Sequence, residues 1–385
     1  MIKFEPGSHQ YSLISMLSVV GEIPTASLNL MGNTRTLSDL VRRLNKRHKV
    51  VGEDGQSIDN CRIIKVIGKG DKRRLRLHRT GLDLLSWLGI KEYYMSAFQN
   101  NKFSGAQGHI ERNFRNAEAT LMFAKAGVEF RPQYLPELQC EVRLNQVLEG
   151  AAFYPARLIK TLQSSDDTYK KLAYTRFVGM LIAYDDFYAI YNFRNEWKVS
   201  AFNGEDKAKQ AIQLTAGLNY KIKPNASAIV IGDDFDVARE ILLRSHLDRR
   251  KKIRITSVYN HLYYIPKTEF GIRMLRFFCI PDFTKKIKEA LYEKKHLYEK
   301  EDGFEYDIFK DGKFYLSILD GNIGRMERYW NFLHEHKCAG KVICYPEQEQ
   351  MVRSYFGKKI EIHKVDISKI EEILDVDRRG LFDEE

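Results

Sequence analysis

Basic side chains are concentrated in one short part of this 385-residue chain. Between residues 35 and 79 there are fourteen Lys and Arg but only five Asp and Glu, so this stretch holds an excess of nine charges in a chain of net charge +11. Such a surface neutralises phosphates and releases their counterions, and guanidinium groups also hydrogen-bond to base edges. The chemistry that the sequence indicates first is therefore binding to a polyanion, with nucleic acid as the candidate.

Local patterns predict the helices that would carry these side chains. His9–Val20 has helical apolar spacing and ends at Gly21, and a short second helix is predicted at Ala26–Leu30. Thr34 caps a third predicted helix, which runs to about His48. Along this third helix the apolar residues share one face while the cationic residues lie mainly elsewhere, so one face is expected to pack and the other to remain exposed.

A predicted β-hairpin follows these helices. Cys61–Ile67 and Arg74–His78 alternate like strands and are joined by a basic, glycine-containing turn at residues 68–73. Another helix begins at Leu82. The order of three helices, two strands and a helix predicts a winged helix-turn-helix over residues 8–90. In that arrangement the third helix enters the major groove and the hairpin, or wing, reaches an adjacent groove or the phosphate backbone.

We therefore predict that residues 8–90 bind double-stranded DNA. The candidate contacts are polar and basic side chains of the third helix, of the residues after it and of the wing: Asn33, Arg35, Thr36, Arg42, Arg43, Lys46, Arg47, Lys69, Lys72, Arg73, Arg74 and Arg76, with Asp39 on the same helix. The alternative is a dimerisation or protein-docking module whose basic residues only keep the surface solvated. DNA is favoured because the charge lies on both of the elements that would face it.

The rest of the chain predicts an α/β (α+β) fold. A polar stretch from Tyr93 to Gly108 is the predicted linker, and Ile110–Ala126 is the next helix. Strands are predicted at Arg176–Ala183 and Phe187–Phe193, and strands and helices alternate further on, with Arg254–Tyr264 as a strand region. The predicted domains are residues 8–90, 109–245 and 246–385.

A family resemblance rests on the first of these domains. The order Arg42-Arg43-Leu44, a basic wing and then Leu77-His78-Arg79-Thr80-Gly81-Leu82 resembles the winged-helix start of the plasmid replication-relaxation family and related proteins of Gram-positive conjugative elements. This resemblance implies a DNA-binding protein of a bacterial mobile element, such as a plasmid or conjugative transposon, that acts in regulation, replication or mobilisation. It also implies that the chain from about residue 109 resembles a restriction-endonuclease-like PD-(D/E)xK core, which is sometimes degenerate.

In such a core a helix supplies a Glu, and a hairpin supplies an Asp and a Glu-x-Lys, which together hold Mg²⁺. Glu118 resembles the helix acid, and Val128–Pro132 resembles the strand that follows it. At the two hairpin positions the chain has Val178-Gly179-Met180-Leu181 and Ile190-Tyr191-Asn192-Phe193. Neither run has the carboxylate that Mg²⁺ prefers. We therefore predict a degenerate nuclease core with no catalysis, no metal and no cofactor.

Two other functions stay open at this point. One is a Mg²⁺-dependent nuclease or nicking enzyme whose acids come from Glu118, Asp185 and Asp186, although adjacent acids between two strands are usually turn formers. The other is a transcriptional regulator whose α/β region receives a ligand or a protein partner and alters the affinity for DNA. The residues do not identify that ligand.

Cysteine usage and hydropathy bear on the cellular setting. The five cysteines are widely spaced and include no CxxC pair, so neither a disulfide framework nor a zinc site is predicted. No stretch approaches the roughly 18 consecutive apolar residues of a membrane span, which predicts a cytoplasmic protein without membrane contact. Because palindromic DNA sites are read by symmetric proteins, we predict a homodimer through the α/β part, with replication or transfer proteins of the mobile element as further partners.

Overall fold

A computed structural model describes residues 1–130, 150–157, 176–184, 186–195, 209, 227–245, 255–292, 297 and 305–376. The chain divides into two compact units. The first comprises residues 1–137, 153–162 and 379–385, and the second comprises residues 138–152 and 163–378. Each unit contains both helices and small sheets. The predicted mixed α/β class is therefore confirmed.

Three helical segments lie near the start of the first unit: α1 (His9–Val20), a 3₁₀ helix (Thr25–Leu30) and α2 (Thr34–Leu44). Ser8 starts α1, because its Oγ accepts a hydrogen bond from the backbone N–H of Tyr11. Gly21 ends α1 with a φ of +77°, a conformation that glycine adopts without steric cost. Helix α2 ends before the predicted limit near His48, because the chain turns into a strand there.

Six short strands form two sheets in the first unit: β1 (Ile2–Phe4), β2 (Ile23–Pro24), β3 (His48–Gly52), β4 (Ser57–Cys61), β5 (Ile64–Ile67) and β6 (Arg74–Leu77). One sheet has the order β2-β6-β5 with antiparallel pairs. The other has the order β1-β3-β4, with β1 parallel to β3 and β3 antiparallel to β4. The predicted basic hairpin is confirmed as β5 and β6, whereas the β3-β4 hairpin between it and α2 was not predicted.

The first unit continues through α3 (Leu84–Trp87), α4 (Lys91–Ala97), α5 (Gln107–Lys125) and β7 (Glu129–Phe130), and β8 (Ala151–Pro155) lies where the chain changes between the units. The prediction of an irregular linker from Tyr93 is wrong at its start, because α4 lies there. The buried Tyr94 anchors α4 by donating a hydrogen bond to Asn101 Oδ1 at 2.9 Å. Helix α5 belongs to the first unit, although the predicted second domain begins at residue 109; the domain boundaries stay a prediction.

The first sheet of the second unit contains β9 (Phe177–Ala183), β10 (Asp186–Arg194), β11 (Ser227–Gly232) and β12 (His261–Pro266), in that order. Strand β9 is antiparallel to β10, and β10, β11 and β12 run parallel. In the described part of this region, four helices accompany these strands: α6 (Phe235–Ser245), α7 (Ile255–Val258), α8 (Glu269–Phe277) and α9 (Phe283–Leu291). Nearly every residue of β9 to β12 is buried, as is usual for parallel strands that are covered on both faces.

The second sheet of this unit has four strands, with the same order and orientations as β9 to β12. It contains β13 (Ile308–Lys310), β14 (Lys313–Ser317), β15 (Ala339–Cys344) and β16 (Glu361–Lys364), with α10 (Gly324–His336), α11 (Glu349–Phe356) and α12 (Ile367–Leu374) after the last three. Strand β13 is antiparallel to β14, and β14, β15 and β16 run parallel. Strands β13 to β16, like strands β9 to β12, therefore form a hairpin extended by two parallel strands.

Several predictions for this unit have a definite outcome. The hairpin predicted at Arg176–Ala183 and Phe187–Phe193 is confirmed as β9 and β10. The strand region predicted at Arg254–Tyr264 is wrong in its first half, since Ile255–Val258 is helical and the strand begins at His261. Among the residues described, no helix combines the length and the apolar character needed to cross a membrane.

Candidate nucleic-acid interface

Helix α2 has one apolar face and one polar face. Its buried residues are Leu37, Leu40, Val41 and Leu44, and the predicted contacts Arg35, Thr36, Arg42 and Arg43 are all exposed. Arg42 forms an exposed ion pair with Asp39 at 3.2 Å. Arg35 and Arg43 have no ion pair with any acidic side chain in the described residues. The exposed face of α2 therefore presents three guanidinium groups, and two of them are not engaged by a carboxylate.

The two ends of α2 extend this polar face. At the first end, Asn33 Oδ1 accepts hydrogen bonds from the backbone N–H groups of Arg35 at 2.9 Å and Thr36 at 3.3 Å. The side-chain oxygen of Asn33 thus caps the helix. The side-chain NH₂ group of this exposed residue can still donate a hydrogen bond to a ligand. At the other end Lys46 and Arg47 are both exposed. Cationic groups therefore continue past the last turn of α2.

A second exposed basic group lies in the turn between β5 and β6, residues 68–73. Lys69, Lys72 and Arg73 are exposed there. Gly68 has a φ of +81°, and a Cβ at this position would lie 2.4 Å from the carbonyl oxygen of Lys72. Only glycine fits that position without a shift of the backbone. The sequence thus places three cations on a turn whose shape depends on Gly68.

Two of the predicted DNA contacts, Arg74 and Arg76, are buried and do not belong to this exposed surface. They are 6% and 8% exposed, and the Nε group of each donates to the same carboxylate oxygen, Oε1 of Glu22, at 2.6 Å and 2.5 Å. Glu22 is completely buried. Charged groups inside a protein are tolerated when they are paired in this way. We therefore leave Arg74 and Arg76 out of the candidate interface.

The buried ion pairs connect the elements of the first unit. The other oxygen of Glu22, Oε2, accepts a hydrogen bond from Asn113 of α5 at 2.6 Å. Arg76 also lies over the ring of Phe103, 4.3 Å from its centroid, and Arg74 Nη1 donates to the carbonyl oxygen of Lys72 at 3.0 Å. Glu22 therefore connects α5 to β6. Through Arg74, which also donates to Lys72, it is connected to the turn at residues 68–73 as well.

A further cationic cluster surrounds β5, and three of its members, Arg62, Lys65 and His78, were not among the predicted DNA contacts. Burial lowers the pKa of Lys65, and the guanidinium groups of Arg76 and Arg62 lower it further. Burial also lowers the pKa of His78, to which the charges of Arg62, Lys65 and Arg47 add. These shifts reveal a positive potential around β5 that also favours a bound anion. The excess charge of residues 35–79 was visible in the sequence, but the meeting of these five side chains was not.

The residues compared with a nuclease site occupy the β9-β10 hairpin and α5. Val178–Leu181 and Ile190–Phe193 lie on the paired strands β9 and β10, where Gly179 is paired to Ile190, and all of these residues are buried. Glu118 is buried in α5 of the first unit. Asp186 is the first residue of β10, and Asp185 lies outside the described residues. Within the described ranges no group of three or more His, Cys, Asp or Glu is arranged to hold a metal ion.

Comparisons with known proteins add no relative. No protein-family model matches the chain, and neither the search of curated proteins nor the search of solved structures found a match.

Proposed function

We propose that the first unit binds double-stranded DNA as a winged helix-turn-helix. In this proposal α2 is the recognition helix, and the turn at residues 68–73 is the tip of the wing. The order α1, β2, 3₁₀ helix, α2, β5 and β6 supports it, because β2 pairs with β6 beside the hairpin as a winged helix requires. The hairpin of β3 and β4 is an insertion between the recognition helix and the wing.

The observation that carries the proposal is the exposure of unpaired cations on both of these elements. Arg35 and Arg43 on α2, and Lys69, Lys72 and Arg73 on the turn, are exposed and have no ion pair with an acidic side chain in the part of the chain that is described. Each of the two elements also carries one exposed acid, Asp39 on α2 and Asp71 in the turn, so cations outnumber acids on both. Cations left without carboxylate partners on two separate elements suit the phosphates on either side of a groove.

The second unit has a non-catalytic role in this proposal. The β9-β10 hairpin followed by the parallel β11 supports a likeness to a nuclease core, but the two hairpin positions compared with metal ligands carry no carboxylate. We assign the second unit to assembly, with a homodimer that reads a palindromic site. Regulation, replication and mobilisation of a plasmid or conjugative element remain the three biological roles that the family resemblance implies.

Selection of bound fragments by the full-length protein tests the function as a whole. Random DNA and mobile-element DNA are offered with and without Mg²⁺, and the ends of the recovered fragments are sequenced. We expect a palindromic motif on intact fragments under both conditions. Mg²⁺-dependent nicks at a fixed position would overturn the non-catalytic assignment, and recovery of no DNA would favour a protein-docking module.

Replacement of single cations tests the assigned surface. We expect Arg43→Ala and Arg73→Ala each to weaken binding several-fold at moderate salt, because each removes a contact to phosphate or base. For each phosphate contact that is lost, the slope of log affinity against log salt concentration should become shallower by about 0.9. Fluorescence anisotropy of a labelled duplex, titrated at several salt concentrations, measures both quantities.

Lys359→Ala is the matched control for these variants. Lys359 is an exposed cation of the second unit, so its loss changes the net charge by the same amount without touching the proposed surface. Its affinity and salt dependence should match those of the wild type. If Lys359→Ala weakens binding as much as Arg43→Ala, binding reflects net charge alone and the assigned surface is wrong.

A further inference from the structure

The second unit contains a cavity of about 680 Å³ that is lined by residues from its first sheet, from α9 and from the segment between β14 and α10. One side is formed at the starts of β10, β11 and β12, by Asp186, Ser227 and His261. The other side is formed by the segment after β14, which includes Asp320 and Asn322. The volume lies within the range of about 300–1,000 Å³ that is typical of sites for small organic molecules.

Aromatic rings form one wall of this cavity. Tyr188, Tyr263 and Phe278 contact one another edge to face, with centroid separations of 5.7, 5.2 and 5.2 Å, and Phe283 packs on Phe278 at 4.8 Å. All four residues line the cavity. Because each ring is fixed by the others, the wall is preorganised for an apolar or cationic group of a ligand.

Of the three cations in the described lining, Arg325 and Lys288 are already engaged by acidic groups. Arg325 donates to Glu305 Oε1 and to Asp307 Oδ1, both at 2.6 Å. Lys288 is 3.0 Å from the same oxygen of Asp307. Even with these cations included, the described lining has five acidic side chains against three basic ones, in a chain whose net charge is +11. The cavity therefore favours a positively charged occupant.

Asp320 supplies the most specific observation. The residue lines the cavity and is 4% exposed, and its Oδ1 accepts a hydrogen bond from the backbone N–H of Asn322 at 2.9 Å. Its other oxygen, Oδ2, is buried and has no hydrogen-bond partner among the described residues. Burial raises the pKa of Asp320, although Arg325 and Lys288 act against this. A buried carboxyl oxygen without a partner is costly for the fold, so a ligand that donates to it would remove that cost.

We propose that this cavity binds a small organic amine with an aromatic body. The ammonium group donates to Asp320 Oδ2, and the aromatic body packs against Tyr188, Tyr263 and Phe278. A carboxylate beside a wall of rings is the arrangement that recognises organic cations. This proposal is independent of DNA binding by the first unit.

Isothermal titration calorimetry on the full-length protein tests the proposal with three amine probes, phenethylamine, tyramine and tryptamine, and with the uncharged phenethyl alcohol. We expect at least one amine to bind. If phenethylamine binds, phenethyl alcohol should bind at least tenfold more weakly, because a charge-assisted hydrogen bond to a buried oxygen contributes about a factor of ten or more to the affinity. Asp320→Asn, which keeps the shape but removes the charge, should lose affinity for the amine by a similar factor.

Asp311→Asn is the control, because Asp311 is exposed in the β13-β14 turn and does not line the cavity; it should bind amines like the wild type. Ser227→Leu, which narrows the cavity from the start of β11, should weaken amine binding and serves as a second variant if Asp320→Asn does not fold. Absence of binding by all three amines, equal affinity for amine and alcohol, or unchanged affinity in either cavity variant would overturn the proposal.

Discussion

Replacement of Arg325 by Met is expected to lower the free energy of unfolding by about 3–5 kcal/mol. The guanidinium of Arg325 is buried between Glu305 and Asp307, and it also donates to the carbonyl oxygen of Ser317 at 3.1 Å. Met fills similar space without a charge, so the buried carboxylates of Glu305 and Asp307 would lose the positive charge that offsets their removal from water. Breaking a buried ion pair from one side is costly for this reason. Urea denaturation of the full-length protein at neutral pH measures the loss.

Arg353→Met provides the control for this substitution. Arg353 forms an ion pair with Glu349 at 2.8 Å, one helical turn away in α11, but both side chains are in contact with solvent. Exposed ion pairs contribute little, because water screens them and long side chains lose freedom on pairing. The stability of Arg353→Met should therefore remain close to that of the wild type. If the two substitutions lower the free energy of unfolding by similar amounts, burial does not determine how much the ion pairs of Arg325 contribute to stability.

The same network should make stability depend on pH. Burial alone would raise the pKa of Glu305, but Arg325 and Arg328 outweigh it and lower the pKa to about 2. The pKa of Asp307 is also lowered, since Arg325 and Lys288 outweigh its burial. A carboxylate with a lowered pKa stabilises the fold above the pKa of the unfolded chain, and this contribution is lost as the pH falls through the folded value. The advantage of the wild type over Arg325→Met should therefore shrink between about pH 5 and about pH 2. Urea denaturation across this range tests it, and a constant difference would contradict it.

Much of the secondary structure could be predicted because its signals are local. The cap at Ser8 and the glycine at position 21 bound α1, and the hairpin of β9 and β10 follows two uninterrupted apolar runs. The β3-β4 hairpin was missed for a physical reason. Most of its residues are partly or fully exposed, and β3 also pairs in parallel with β1, from the beginning of the chain. Each of these two strands has only one buried residue, so the sequence shows little of the alternation that identifies a strand.

The candidate site could be predicted only in part. The exposed cations of α2 follow from the opposite apolar stripe of Leu37, Leu40, Val41 and Leu44. Arg74 and Arg76 alternate with Leu75 and Leu77, which predicted that they point to solvent, yet all four residues are buried. Their partner Glu22 lies 52 and 54 residues away in the sequence. Such a pairing depends on the tertiary fold and has no local signature.

Replacement of Glu22 by Gln is expected to lower the free energy of unfolding by about 3–5 kcal/mol. Gln retains the shape of Glu and can still accept a hydrogen bond, but Arg74 and Arg76 would then remain buried without a negative charge beside them. The side chain of Glu22 has no contact with solvent, so water cannot compensate for that loss. Urea denaturation measures the change. Glu5→Gln is the control, because Glu5 forms only an exposed, 3.7 Å ion pair with Lys3, and its loss should have a far smaller effect.

Glu22→Gln should also weaken DNA binding under conditions in which the variant is still folded. Arg74 connects Glu22 to the carbonyl oxygen of Lys72, so the substitution loosens the turn that presents Lys69, Lys72 and Arg73 while leaving those three cations in the chain. Glu22 therefore acts as a positioning residue for the proposed wing. Anisotropy titrations of Glu22→Gln and Glu5→Gln, at a temperature where both are folded, separate this effect from stability. Equal affinities would mean that the position of the turn does not matter for binding, and residues 68–73 would then not be a DNA-binding wing.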